Sequence, residues 1–109
     1  MSASAYIYTD IGDDAHHTWG DLNITYNLSP MLEAAGFRGW SFWKLHPDAR
    51  AFGVELRKVI ATLRLDPPKF IALNPPNGWG DYSGLVAALD NLVSTVPWHR
   101  EDLAVRFYL

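Results

Sequence analysis

The residues best suited to chemistry gather between Thr9 and Asp21, where Asp10, Asp13, Asp14 and Asp21 surround His16 and His17. Carboxylate oxygens and imidazole nitrogens are the ligands of divalent metals. The spacing fits no metal loop, however. An EF-hand needs ligands at alternate positions and a glutamate at the twelfth, and no His-Glu-x-x-His stands on a helix. His16, His17 and Asp13 are weak metal candidates, and no cofactor is expected. The plainer reading is a solvated hairpin tip whose acids favour turns.

Two further segments combine unusual residues. Asn74 to Tyr82 reads NPPNGWGDY. Asn77-Gly78 calls for a turn with positive φ, and Gly80 lets the backbone approach a neighbour closely. Trp79 is a large aromatic in a loop, where binding residues concentrate. Asp81 is well placed at a helix start. The competing reading is a rigid connector in which Trp79 plugs the core and Asp81 caps the next helix. Asn23 to Met31 reads NITYNLSPM and sets Asn23, Thr25 and Asn27 on one strand face. The helix start that follows suits an anion or amide group, unless Asn27 and Ser29 simply satisfy turn and cap hydrogen bonds. Gly-x-Ser-x-Gly, a phosphate-cradling Gly-x-x-x-x-Gly-Lys and a dinucleotide fingerprint are all missing, so no catalytic residue is assigned.

The chain has 109 residues, 49% apolar and 19% charged, a composition that supports one globular domain. With no cysteine, disulfides, cysteine zinc sites and thiol catalysis are excluded. The first residues, Met-Ser-Ala-Ser-Ala-Tyr, lack the basic and apolar regions of a signal peptide, and no apolar run approaches a membrane span. A bacterial cytoplasm is the expected setting. The net charge of −3 makes nucleic acid an unfavoured partner. Arg50, Arg57, Lys58 and Arg64 read as a solvated helix face, with DNA binding through them the outlying reading. Five Trp, five Tyr and five Phe exceed what so small a core usually needs, which sets aside one or two tryptophans for a contact surface.

Periodicity supplies the elements that must position these groups. Ala5–Thr9 and Leu22–Asn27 are predicted strands joined by a loop from Asp10 to Asp21, the second strand alternating Leu22, Ile24 and Tyr26 against Asn23, Thr25 and Asn27. Ser29-Pro30 opens a short helix that Gly36 ends. An aromatic connector from Phe37 to His46 holds Trp40, Phe42 and Trp43. Phe52, Leu56, Val59, Ile60 and Leu63 form one stripe of a helix over 47–65, stopped by Asp66-Pro67-Pro68. Lys69–Leu73 allows one further turn. Leu85, Val86, Leu89, Leu92, Val93 and Val96 stripe a helix over 82–96, and Leu103–Leu109 alternates as a third strand. The predicted fold is α+β: a small antiparallel sheet, hairpin plus C-terminal strand, with two or three amphipathic helices on one face. The other face stays open to water or a partner.

The segments TYNLSPM and NPPNGWGDY, about 45 residues apart, together resemble a family of small uncharacterised proteins of bacteriophages and actinobacterial genomes that carry a TYN-x-x-PM segment and an NP-x-NGWG-x-Y segment. The resemblance spans roughly Leu22 to Val96. It implies a phage or mobile-element origin and no particular activity. The 10–21 segment and the tail after Pro97 lie outside it.

The leading expectation is a protein-binding module using Trp79, Tyr82 and the polar strand face, or the Trp40–Trp43 connector, with a homodimer as a variant. The alternative is a small-ligand-binding protein or enzyme whose polar pocket lies between the two segments, lined by Asn27, Asn77, Asp81 and Tyr82.

Overall fold

The computed structural model describes residues 1–13 and 15–109, which include three strands and five helices. Strand β1 (Ser2–Gly12) lies between β2 (Ala15–Thr25) and β3 (Ala104–Tyr108), both antiparallel to it. The α+β expectation therefore holds: the helices cover one face of a small antiparallel sheet.

The hairpin strands are longer than the sequence predicts. Residues 10–12 and 15–21 extend the two strands, with Tyr8 paired to Thr18 and Asp10 to His16. The described residues from Asp10 to Thr18 are exposed on both faces of this ribbon. Without a buried face there is no apolar alternation to read, only backbone pairing. A bulge separates the Ile7–Gly20 pair from the Tyr8–Thr18 pair, leaving Trp19 as the extra residue. Its Nε1 donates to Thr9 Oγ1 at 3.2 Å. At its other end β2 stops at Thr25, two residues early, because the Thr25 hydroxyl accepts from the Asn27 backbone N–H and starts a turn of 3-10 helix over Tyr26–Leu28.

Helix α1 (Ser29–Ala34) follows directly, with Pro30 in its first turn, and Gly36 beyond it adopts φ +94°. The aromatic connector contains a helix of its own, α2 (Trp40–Leu45), whose Trp40 and Trp43 point inward one turn apart. Helix α3 (Ala49–Leu65) is capped by Asp48, whose carboxylate accepts from Ala51 N–H at 3.0 Å. Helix α4 (Pro67–Ile71) is a single turn begun by prolines, and α5 (Tyr82–Thr95) is capped by Asp81.

The core forms where these stripes meet the sheet. Ala3, Ala5 and Ile7 of β1, Leu22 and Ile24 of β2, and Val105 and Phe107 of β3 are buried against Phe52, Leu56, Leu63, Leu89 and Leu92. Phe52 meets Phe107 and Trp43 edge-on at 5.1 and 5.4 Å. Two glycines allow close approach. A Cβ on Gly20 would stand 2.9 Å from Leu92 Cδ1, and one on Gly53 would stand 2.6 Å from the Trp98 ring.

Candidate functional site

Strand alternation, which buries Ala3, Ala5 and Ile7, turns Ser4, Tyr6, Tyr8 and Asp10 to the opposite face. The register sets Asn23, Asp21, Thr18 and His16 beside them on β2, and Arg106 and Tyr108 on β3. This open face holds a cleft of about 340 Å³ lined by Tyr6, Tyr8, His16, Thr18, Arg106 and Tyr108. Tyr6 and Tyr108 meet edge-on at 5.6 Å, and Tyr8 leans on His16 at 5.1 Å. The Arg106 guanidinium stands over the Tyr8 ring at 5.4 Å. The Tyr108 hydroxyl, followed by that of Tyr8, favours the charged guanidinium and holds its pKa above the ordinary arginine value. Among the described residues no carboxylate pairs with Arg106, whereas Arg38, Arg64 and Arg100 each have one.

The neighbouring polar groups are held locally. Asn23 Nδ2 donates to the Ser2 and Ser4 hydroxyls at 3.1 and 2.7 Å, which locks the far end of the face. His16 Nδ1 lies 3.0 Å from Asp10 Oδ1 across the ribbon.

The metal candidates do not converge. Adjacent strand residues point to opposite faces, so the His16 ring lies tilted against Tyr8 while His17 packs edge-on against Trp19 at 4.3 Å. Asp13 sits at φ +49° in the turn, and Asp14 lies outside the described residues. Among the described residues no three His, Asp or Glu side chains are grouped to hold a metal ion.

The two unusual segments do meet. Gly80 packs so closely on Thr25 and Leu28 that a Cβ there would stand 3.0 Å from each. A groove of about 340 Å³ runs between them, lined by Asn23, Thr25, Gly78, Gly80, Asp81 and Gly84 among others. The side chains expected to line a polar pocket are engaged elsewhere. Asn27 Nδ2 donates to Thr25 Oγ1, and Asn77 Oδ1 accepts from Trp79 N–H. Asp81 accepts from Gly84 N–H at 2.6 Å. Tyr82 donates its hydroxyl to Leu63 C=O at 2.7 Å and its N–H to Asn74 Oδ1. Each of these bonds is one of turn, cap or packing.

The tryptophans differ in burial, with Trp19 half-buried at the bulge. Trp40, Trp43 and Trp98 are buried, so the Trp40–Trp43 connector belongs to the core. The Trp40 indole packs on Phe37 at 4.8 Å, and its Nε1 is buried without a partner among the described residues. Trp79, at 66% exposure, projects from the loop bordering the Asn23–Thr25 end of the sheet rather than plugging the core.

The open-face cluster was only half legible beforehand. Alternation around Phe107 marks Arg106 and Tyr108 as outward, but nothing local says that β3 pairs with β1 and so brings them to Tyr6 and Tyr8. No helix of the described residues is long and apolar enough to cross a membrane. The chain matches no protein-family model, no curated protein and no solved structure with which it was compared. The functional reading therefore rests on fold and side-chain geometry.

Proposed function

We propose that this chain is a small protein-binding module, of the phage or mobile-element kind its two motif segments suggest, working in the cytoplasm of a bacterial host. The observation that carries the reading is the open sheet face, where Tyr6, Tyr8, Tyr108 and Arg106 stand together; the exposed Trp79 belongs to a separate loop at the Asn23–Thr25 end of β2. Tyrosine, tryptophan and arginine carry most of the binding energy in protein interfaces. They expose large, stiff, amphipathic surfaces at low entropic cost. A rigid strand pair displays them already ordered, which lowers the cost of association. The acidic net charge speaks against a polyanionic partner.

The test replaces Tyr6 with a photo-crosslinking phenylalanine analogue and, separately, Val54 on the outer side of α3. Adducts from position 6 and none from position 54 identify the partner and the face. With that partner purified, Tyr6→Ala/Tyr108→Ala is expected to weaken binding at least about tenfold while circular dichroism stays native. Trp79→Ala reports whether the bordering loop takes part. A self-adduct at position 6 would make the partner a second copy of the chain. Unchanged affinity in the double tyrosine variant would refute the reading.

A further inference from the structure

We propose that the cleft between Tyr8, Arg106 and Tyr108 is a carboxylate-recognition subsite, which takes one acidic side chain of a protein segment laid across the open sheet face. The inference deepens the protein-binding reading and rests on it.

Three observations select this occupant. The first is charge. Arg106 is the one arginine or lysine lining the cleft, and among the described residues no carboxylate satisfies it. A guanidinium offers a planar fork that matches a single carboxylate with two parallel hydrogen bonds. The second is orientation. The guanidinium stands over the Tyr8 ring, 5.4 Å from its centroid, so a cation–π contact helps hold it within the cleft. Tyr108 lines the same cleft, and its hydroxyl both favours the charged guanidinium and can donate a hydrogen bond. Arg106 is thus held beside aromatic groups, with no carboxylate partner among the described residues.

The third is the charge around the rim. Asp21 pairs across from Tyr6, and Asp10 bonds to His16. A phosphate diester chain or a dianionic phosphate would bring its excess charge against these two carboxylates. A monoanion is matched one to one by Arg106. The tyrosine rings lining the cleft add apolar surface, so the residue next to the acidic one should be aromatic or aliphatic. A volume of about 340 Å³ lies at the small end of ligand sites, enough for one acidic side chain and part of its neighbour.

The experiment follows backbone amide and Arg106 Nε–H NMR shifts of the nitrogen-15-labelled chain. Three probes are titrated: the capped dipeptide Ac-Glu-Phe-NH2, its Ac-Gln-Phe-NH2 counterpart and uridine monophosphate. The glutamate peptide is expected to shift Tyr8, Arg106 and Tyr108 saturably and to bind about tenfold more tightly than the glutamine peptide. Arg106→Gln should erase that preference with the remaining spectrum unchanged, and Arg106→Lys should restore only part of it. Equal affinity for the two peptides, shifts confined to another surface, or no shift with any probe would overturn the subsite. Tighter binding of uridine monophosphate would reassign the cleft to phosphate and overturn it equally. The two proposals fail separately. If position 6 crosslinks a protein whose affinity Arg106→Gln leaves unchanged, the contact face stands and the carboxylate subsite falls. If the peptide preference holds but no protein contacts position 6, the subsite stands and the module reading falls.

Discussion

Gly80 lies directly against Leu28, with room for no side chain between them. A Cβ at Gly80 would stand 3.0 Å from Leu28 Cδ1 and Thr25 Cγ2, and the residue adopts φ +95°. This contact holds the 74–82 loop on the end of β2 and so places Trp79 beside the sheet. Gly80→Ala is expected to cost about 2 kcal/mol, combining left-handed strain with the clash. Gly78, at φ +76°, faces open space, so Gly78→Ala should carry the strain alone and cost about 1 kcal/mol. Urea midpoints of the two variants measure the difference. Equal losses would mean that the Gly80 contact is not a tight one.

Glu55 ties the connector to α3. Its Oε2 accepts from the Trp43 indole at 2.6 Å and from the Arg38 backbone N–H at 3.2 Å, while Oε1 lies 3.1 Å from Arg38 Nε. Its side chain is 11% exposed, so water replaces these partners poorly. Glu55→Ala would strand the Trp43 N–H and should destabilise the fold by about 2 kcal/mol. Glu55→Gln keeps an acceptor and should lose about half as much. In Trp43→Phe, which has no donor to strand, the further change Glu55→Ala should cost clearly less, and a double-mutant cycle isolates that coupling.

The parts of the fold that were legible in the sequence are those whose burial has a period. Phe52, Leu56, Val59, Ile60 and Leu63 recur at helical spacing and are all buried. Val105 and Phe107 alternate with exposed neighbours in β3. Helix α2 has only six residues, too few for a stripe, and hides among aromatics that suit several structures. The described residues of the 10–18 ribbon are exposed on both faces, so its extension of the hairpin left no apolar signal. Asn27 departs from its expected strand face because one hydroxyl, that of Thr25, outcompetes a further ladder bond. The site needs long-range information throughout. Tyr6 and Arg106 are a hundred residues apart, and only the β2-β1-β3 order makes them neighbours.

Gly53 shows packing reversing a propensity. Alanine is ordinarily favoured over glycine inside a helix by about 1 kcal/mol. Here a Cβ would stand 2.6 Å from Trp98 Cε3, and the indole is held in place by its donation to Val93 C=O at 2.9 Å. Overpacking of this kind costs about 1–3 kcal/mol, so Gly53→Ala is expected to be destabilising. Replacing Trp98 by Leu in the same chain should remove most of the penalty of the alanine. A stabilising Gly53→Ala would show that the ring moves freely.

Arg100 and Asp102 form a forked pair at 2.8 and 2.6 Å just before β3. The guanidinium also stands 5.2 Å from the Trp19 ring, so the pair steadies the bulge. Hydrogen bonding from Arg100 lowers the Asp102 pKa below its ordinary 3.8. A carboxylate depressed in the folded state contributes fully above its unfolded pKa and loses that contribution as pH falls through its folded value. The stability gap between the native chain and Asp102→Asn should therefore stay constant from neutral pH to about pH 5 and close below 3.8. Added salt should narrow it, because both side chains are exposed. A gap unchanged in strong acid would assign Asp102 another role.

Tyr6 and its neighbour Ile7 occupy opposite faces of β1, and that difference has a measurable consequence. Ile7 is fully buried between the sheet and the helices, so Ile7→Ala is expected to cost about 2–5 kcal/mol. Tyr6 and Tyr108 are 38% and 53% exposed and meet edge-on, a pairing worth about 0.5–1.5 kcal/mol. Tyr6→Ser and Tyr108→Ser should each cost about 1 kcal/mol or less, with the double variant losing less than the sum. Denaturation midpoints of the four variants test this directly. Small losses mean that the open face contributes little to holding the chain together, which leaves its tyrosines available for contact. If Tyr6→Ser unfolded the chain as Ile7→Ala does, those rings would be structural and the contact reading would lose its footing.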